Sequence, residues 1–173
     1  FEDVVAALSG VAPNDWKGLL TSRLQSLEAR APLGGFEQGG WKLIFKDTPS
    51  SMFKAHETVR QMTDLSFSLG MTIDGGAMIA DVTPDMAADK SGLAPGMKVI
   101  AVNGRKYSSA VLHAAIAESK KSKAPLDILA ANRDYFKTYS LEYHNGEQYP
   151  YLVRDESKPD LITEIIAPLM GKK

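Results

Sequence analysis

The chain has 173 residues, 20 Lys+Arg against 21 Asp+Glu, a formal net charge of -1 and 44% hydrophobic residues. That apolar share suits a packed globular protein, and the interspersed charges form no basic stripe of the kind that binds nucleic acid. Without any cysteine there is no disulfide framework, thiol nucleophile or cysteine-ligated zinc, and no stretch nears the roughly 18 apolar residues that span a bilayer.

Phe1-Glu2-Asp3-Val4-Val5-Ala6-Ala7-Leu8 reads as the interior of a helix, so the expectation is a piece of a longer protein. Gly10 and Pro13 end that segment, and Asn14 or Asp15 caps the next. Trp16, Leu19, Leu20, Leu24 and Leu27 recur at three- and four-residue spacing, which predicts a helix to about Arg30. Pro32-Leu33-Gly34-Gly35 stops it. Trp41–Lys46 reads as a strand, residues 47–51 as a loop, and Phe53–Met62 as a linking helix. A domain boundary is expected near Thr63-Asp64.

The second half changes character. Residues 65–73 are expected to be one strand, turned by Asp74-Gly75-Gly76 into a second over 77–82. A helical turn follows at 86–90, closed by Gly92, then a strand over 97–102 that ends at Asn103-Gly104. A helix is predicted for 107–120, capped by Ser108 or Ser109, with Val111, Ala115 and either Leu112 or Ile116 on one face. Two more strands, 125–131 and 135–143, meet at Asn132-Arg133-Asp134. After Pro159-Asp160, the spacing of Leu161, Ile162, Ile165, Ile166 and Leu169 is helical. The expected class is α+β: a helical segment over 1–63, a five-to-six-stranded partly open barrel with two helices over 64–145, and a strap or helix over 146–173.

Ser68-Leu69-Gly70-Met71-Thr72-Ile73-Asp74-Gly75-Gly76 and, later, Ala87-Ala88-Asp89-Lys90-Ser91-Gly92-Leu93-Ala94-Pro95-Gly96-Met97-Lys98-Val99-Ile100-Ala101-Val102-Asn103-Gly104 together resemble a PDZ domain over about 65–143. A glycine at 70 lets successive backbone N–H groups turn inward as a nest for a carboxylate. The edge of the Met71–Ile73 strand is then expected to accept an extended peptide as an added strand. By this resemblance Ser68, Leu69, Gly70 and Met71 form the carboxylate loop. Thr72, Ile73, Val111, Leu112 and Ala115 line the groove. Relatives often carry a histidine at the start of this helix to select Ser or Thr; here that register falls on Val111 or Leu112, with His113 one or two places later, so an apolar third-last ligand residue is expected. Lys98 replaces the Asp that many relatives carry, a change away from the groove.

Asp15-Trp16, the run Pro32-Leu33-Gly34-Gly35-Phe36-Glu37-Gln38-Gly39-Gly40-Trp41-Lys42-Leu43, and Arg154-Asp155 with Lys158-Pro159-Asp160-Leu161 are similar to the C-terminal region of glycyl-aminopeptidase-type zinc metallopeptidases. That resemblance implies a zinc-bearing catalytic domain outside this chain, possible contact with it, and a tail over Gln148–Met170 available to cover the groove. Within the chain, His56-Glu57-Thr58-Val59-Arg60 starts like a zinc motif but sets an arginine, which cannot ligate, at the second ligand position. Ser108, His113 and Asp89 lack any nucleophile-elbow pattern, and the paired glycines precede no phosphate-binding helix. Lys120-Lys121-Ser122-Lys123 suits a helix C-terminus. No catalytic residue or metal ligand is therefore expected here. The partner is expected to be a peptide or protein C-terminus, not nucleic acid or a membrane.

Overall fold

The computed structural model describes residues 1–27 and 32–168, in two compact units, Phe1–Pro32 and Leu33–Lys173. In the first unit, α1 (Glu2–Val11) and α2 (Trp16–Gln25) form a helical hairpin. The Asp15 carboxylate caps α2 by accepting from the Gly18 N–H at 2.9 Å, and the Trp16 indole donates to the Ala12 carbonyl at 2.7 Å. No residue of α1 or α2 is buried. The helix expected to reach Arg30 ends at Gln25, where Ser26 turns extended; Arg30 lies outside the described residues.

The second unit opens with α3 (Gly34–Gln38), a short helix where the sequence suggested only breakers, followed by β1 (Trp41–Lys46) and α4 (Ser51–Arg60). Ser50 caps α4 through the Phe53 N–H, and Gln61 ends it in the left-handed region. Next come β2 (Met62–Leu65), β3 (Met71–Asp74), β4 (Ile79–Val82), α5 (Ala87–Ser91), β5 (Lys98–Val102) and β6 (Arg105–Lys106). The chain finishes with α6 (Ser109–Ser119), β7 (Leu126–Asn132), β8 (Tyr135–Leu141), β9 (Tyr149–Arg154) and α7 (Leu161–Ile166). No described helix is long and apolar enough to cross a membrane.

Three antiparallel sheets result: β1-β9, β2-β3-β4 and β6-β5-β7-β8. The second and third meet at the Met78–Lys98 bridge, where Ile79 N–H donates to Met97 and Val99 N–H to Ala77, both at 2.8 Å. The barrel is thus open, as its composition of short strands suggested, but it holds more strands than the expected five or six. One core fills it. Leu65, Leu69, Met71, Ile73, Ile79, Val99, Val102, Leu112, Ile116, Ile128 and Leu141 are all less than 2% exposed. Burial of apolar surface on this scale is the main driving term for such a fold.

One expectation is corrected. The strand expected over 65–73 is two strands, because the Asp64 carboxylate accepts from the Ser66 N–H and hydroxyl and turns the chain there. Thr63 and Asp64 lie in β2, whose register ties Thr63 to Ile73 and Asp64 to Thr72.

The C-terminal strap is a ribbon strand plus a helix. Trp41 pairs with Arg154 at one end of the β1-β9 ladder and Lys46 with Tyr149 at the other. A polar clip closes the first end. Asp155 Oδ1 accepts from the Ser157 hydroxyl at 2.6 Å, its Oδ2 lies 3.0 Å from Lys42 Nζ, and the Trp41 indole donates to Asp160 at 3.0 Å. Arg154 donates to the carbonyls of Gly40, Asp155 and Lys158.

The Ser157 hydroxyl, and after it Lys42, hold the Asp155 carboxyl down to about 2 from an ordinary 3.8. A depressed carboxylate stabilises the fold above its ordinary value and loses that contribution as pH falls through its folded value. Asp155→Asn is therefore expected to flatten the acid limb of stability between pH 3.8 and about 2, read by circular dichroism across a pH series. An unchanged acid limb would exclude the clip as its origin.

Candidate functional site

The residues singled out from the sequence lie on the loop into β3, on β3 itself and on α6. Ser68, Leu69, Gly70 and Met71 form the turn into β3, and Thr72 and Ile73 continue that strand. Across from them α6 is capped by Ser108, whose hydroxyl accepts from Val111 N–H at 3.2 Å. Its buried face is Leu112, Ala115, Ile116 and Ser119, a helical i, i+3, i+4, i+7 set. Val111 is half-buried and packs against the same core.

Gly70 sits at φ +78°, and a Cβ there would lie 2.3 Å from Met86 Cβ. This residue needs both positive φ and the absence of a side chain. Its carbonyl accepts from Thr83 N–H at 2.8 Å, and the Leu69 carbonyl accepts from Ala88 N–H at 2.9 Å. The loop is thereby stitched to the start of α5.

What the loop amides hold is the central finding. The N–H groups of Ser68 and Gly70 both donate to the carbonyl of Leu65, at 3.0 and 2.9 Å. β2 then runs antiparallel along β3, with Leu65 opposite Met71 and Met62 opposite Asp74. On the other side Met71 pairs with Val82 and Thr72 with Asp81. The expectation of an unpaired Met71–Ile73 edge is therefore corrected: β3 is the middle strand of its sheet, because the preceding four residues fold back onto it.

β2 is seated by its side chains as well. Thr63 and Leu65 are buried, while Met62 and Asp64 face outward as a pleated strand requires. The Thr63 hydroxyl donates to Ser109 Oγ at 3.0 Å, at the first turn of α6. The outward Asp64 N–H donates to the Glu57 carboxylate at 2.8 Å. Beside the outer side of β2 lies an open cleft of about 600 Å³ between the end of α4, the β3–β4 turn and the start of α6, with Glu57, Thr63, Asp74, Tyr107 and Ser109 in its lining. Burial pushes the Tyr107 phenol up.

The β8–β9 connection bridges both walls. Gln148 N–H donates to Ser68 Oγ at 3.1 Å, and Glu147 Oε1 lies 2.5 Å from His113 Nδ1 on α6. The Tyr143 hydroxyl donates to the Gly146 carbonyl at 2.6 Å and fixes the turn. Hydrogen bonding to Glu147 raises the His113 pKa against the opposing pull of burial. His113 is thus held at the rim by a carboxylate. The segment after Gln148, expected as a cover for the β3 edge, instead forms β9 on β1.

Sequence reading missed Thr63, Leu65, Ser109, Glu57 and Glu147. Only the alternation of Thr63 and Leu65 directly ahead of the loop carried a signal.

The PDZ domain family pattern matches residues 58–131. No curated protein matches the chain. Among solved structures, an aminopeptidase N family protein from Idiomarina loihiensis is similar over 95% of this chain, with 16% identity and a TM-score of 0.55. This chain spans 28% of that protein's length. The HtrA3 PDZ domain bound to a phage-derived ligand is also similar, at 16% identity and a TM-score of 0.33, over 66% of this chain and 91% of that one.

Two outcomes follow from the geometry. Gly70→Ala is expected to cost about 1–3 kcal/mol or more in a urea titration, since it adds a left-handed alanine and a clash with the Met86 side chain at its Cβ. A neutral substitution would mean the loop is not held as described. His113 has a raised folded-state value, so its contribution is complete below the ordinary 6.5 and fades as pH rises through the folded value. His113→Gln is expected to remove that part of the melting-temperature decline in calorimetric scans above pH 6.5; an identical profile would exclude it.

Proposed function

We propose, from the premise that residues 58–131 are a PDZ domain, that the chain is a non-catalytic peptide-recognition module. It acts by strand addition in the groove between β3 and α6. The observation that carries this reading is the Leu65 carbonyl held by two loop amides, Ser68 and Gly70. The same donors suit the oxygens of a free peptide C-terminus, which accept more strongly than an amide carbonyl because they are charged. The apolar face of α6 supplies the side-chain wall for a hydrophobic last residue, with Leu112 and Ile116 fully buried behind it. Strand-addition affinities are modest because ordering a flexible peptide opposes the backbone bonds.

The fold likeness along 95% of the chain supports placing this module at one end of a longer aminopeptidase. Zinc chemistry in such a parent belongs to residues beyond this chain. His56 and Glu57 here are followed by Arg60 on α4, and a guanidinium cannot ligate zinc, so no step runs through a metal in this module.

A second reading is favoured by one observation, the pairing of β3 on both sides. In it the module is a structural accessory that never binds in trans. Chemical-shift mapping separates the two. Millimolar peptide with a free hydrophobic C-terminus is expected to move the amides of Ser68, Gly70, Ile73 and Ala115, and the amidated peptide is not. Silent Gly70 and Ala115 amides at that concentration would leave the accessory role.

A further inference from the structure

We infer that β2 is an intramolecular pseudo-ligand, which must leave the groove before a peptide can enter it. This rests on the peptide-recognition reading above and deepens it.

Four features of β2 carry the inference. Its direction is that of an added strand ending at the loop: it runs antiparallel to β3, and its last residue, Leu65, faces Met71. Its final carbonyl takes both loop amides, as a chain end would. Its alternate side chains enter the groove, Leu65 at 1% exposure and, two residues earlier, Thr63 at 7%. Its hydroxyl finds a hydroxyl, the Thr63–Ser109 bond at 3.0 Å.

On its outer side, β2 is held by polar contacts, not by a further strand. Glu57 accepts from Asp64 N–H, and Asp64 accepts from Ser66. β2 is also an edge strand of its sheet. Polar, solvent-facing contacts of this kind open at lower cost than packed ones. A tethered strand competes at an effective concentration in the millimolar range, so the apparent affinity for a peptide falls in proportion to the fraction of open groove. The peptide's advantage is its charge, since the amides of Ser68 and Gly70 then bind a carboxylate in place of an amide oxygen.

A disulfide lock tests this directly, because the chain has no native cysteine. Asp64 lies opposite Thr72, and its N–H points away from β3 toward Glu57. This marks a non-hydrogen-bonded pair, with the closer side chains that a bridge needs. The Asp64→Cys/Thr72→Cys chain is titrated calorimetrically, oxidised and reduced, with an acetylated hexapeptide ending Thr-Asp-Leu and a free carboxylate.

The reduced chain is expected to bind at least about tenfold more tightly than the oxidised one. Equal binding in both states would overturn the pseudo-ligand while leaving peptide recognition intact. Binding in neither state would overturn peptide recognition, and this inference with it. In the otherwise unaltered chain, Thr63→Val loosens the plug by one hydrogen bond and should tighten peptide binding about two- to tenfold. Weaker peptide binding to the Thr63→Val chain would overturn the plug.

Discussion

One carbonyl and two amides organise this unit. With the Leu65 oxygen bonded to the N–H groups of Ser68 and Gly70, the chain reverses within five residues and lays β2 along β3. Everything near the groove inherits that reversal. It requires positive φ at Gly70 with Met86 packed where a side chain would stand. It delivers the Leu65 side chain to the core and leaves Thr63 opposite Ser109. Buried backbone groups must find partners, and here the Leu65 carbonyl finds two of them in the loop that its own strand leads into.

The groove walls are then tied by a segment distant in sequence. Glu147 and Gln148 reach His113 on α6 and Ser68 in the loop. The same turn packs tightly against α6, since any side chain at Gly146 would meet the aliphatic part of Lys120. Tyr149, next in line, has its phenol pushed upward by burial and by the Glu147 charge beside it, and its ring sits edge-on to Phe53 of α4. Loop, α6 and α4 are therefore connected through one short stretch.

The C-terminal ribbon has a separate role. β9 consumes the segment that could have covered β3 and spends it on β1. The Asp155 clip and the Arg154 donors to three carbonyls fasten that end. The tail segment 149–154 is thereby committed to β1, and β2 is the strand that pairs with β3 opposite β4.

Much of this was legible in the residues alone. β1 was read at its observed bounds, α6 was predicted with Ser108 or Ser109 as its cap, and the glycine loop with the Asn103-Gly104 turn falls within the 58–131 stretch that the PDZ domain pattern matches, because these features rest on local chemistry: capping, positive φ and alternation. The pairing of β3 on both sides was not legible. The alternation of Thr63 and Leu65 is too short to mark a strand of its own, and Leu65 read naturally as the start of one long strand. Whether a short apolar strand borders solvent or its own neighbour depends on which backbone groups it meets in space. That partner is fixed by the path of the loop and the position of α6, so only the tertiary structure decided that this chain pairs its own 62–65 strand with β3.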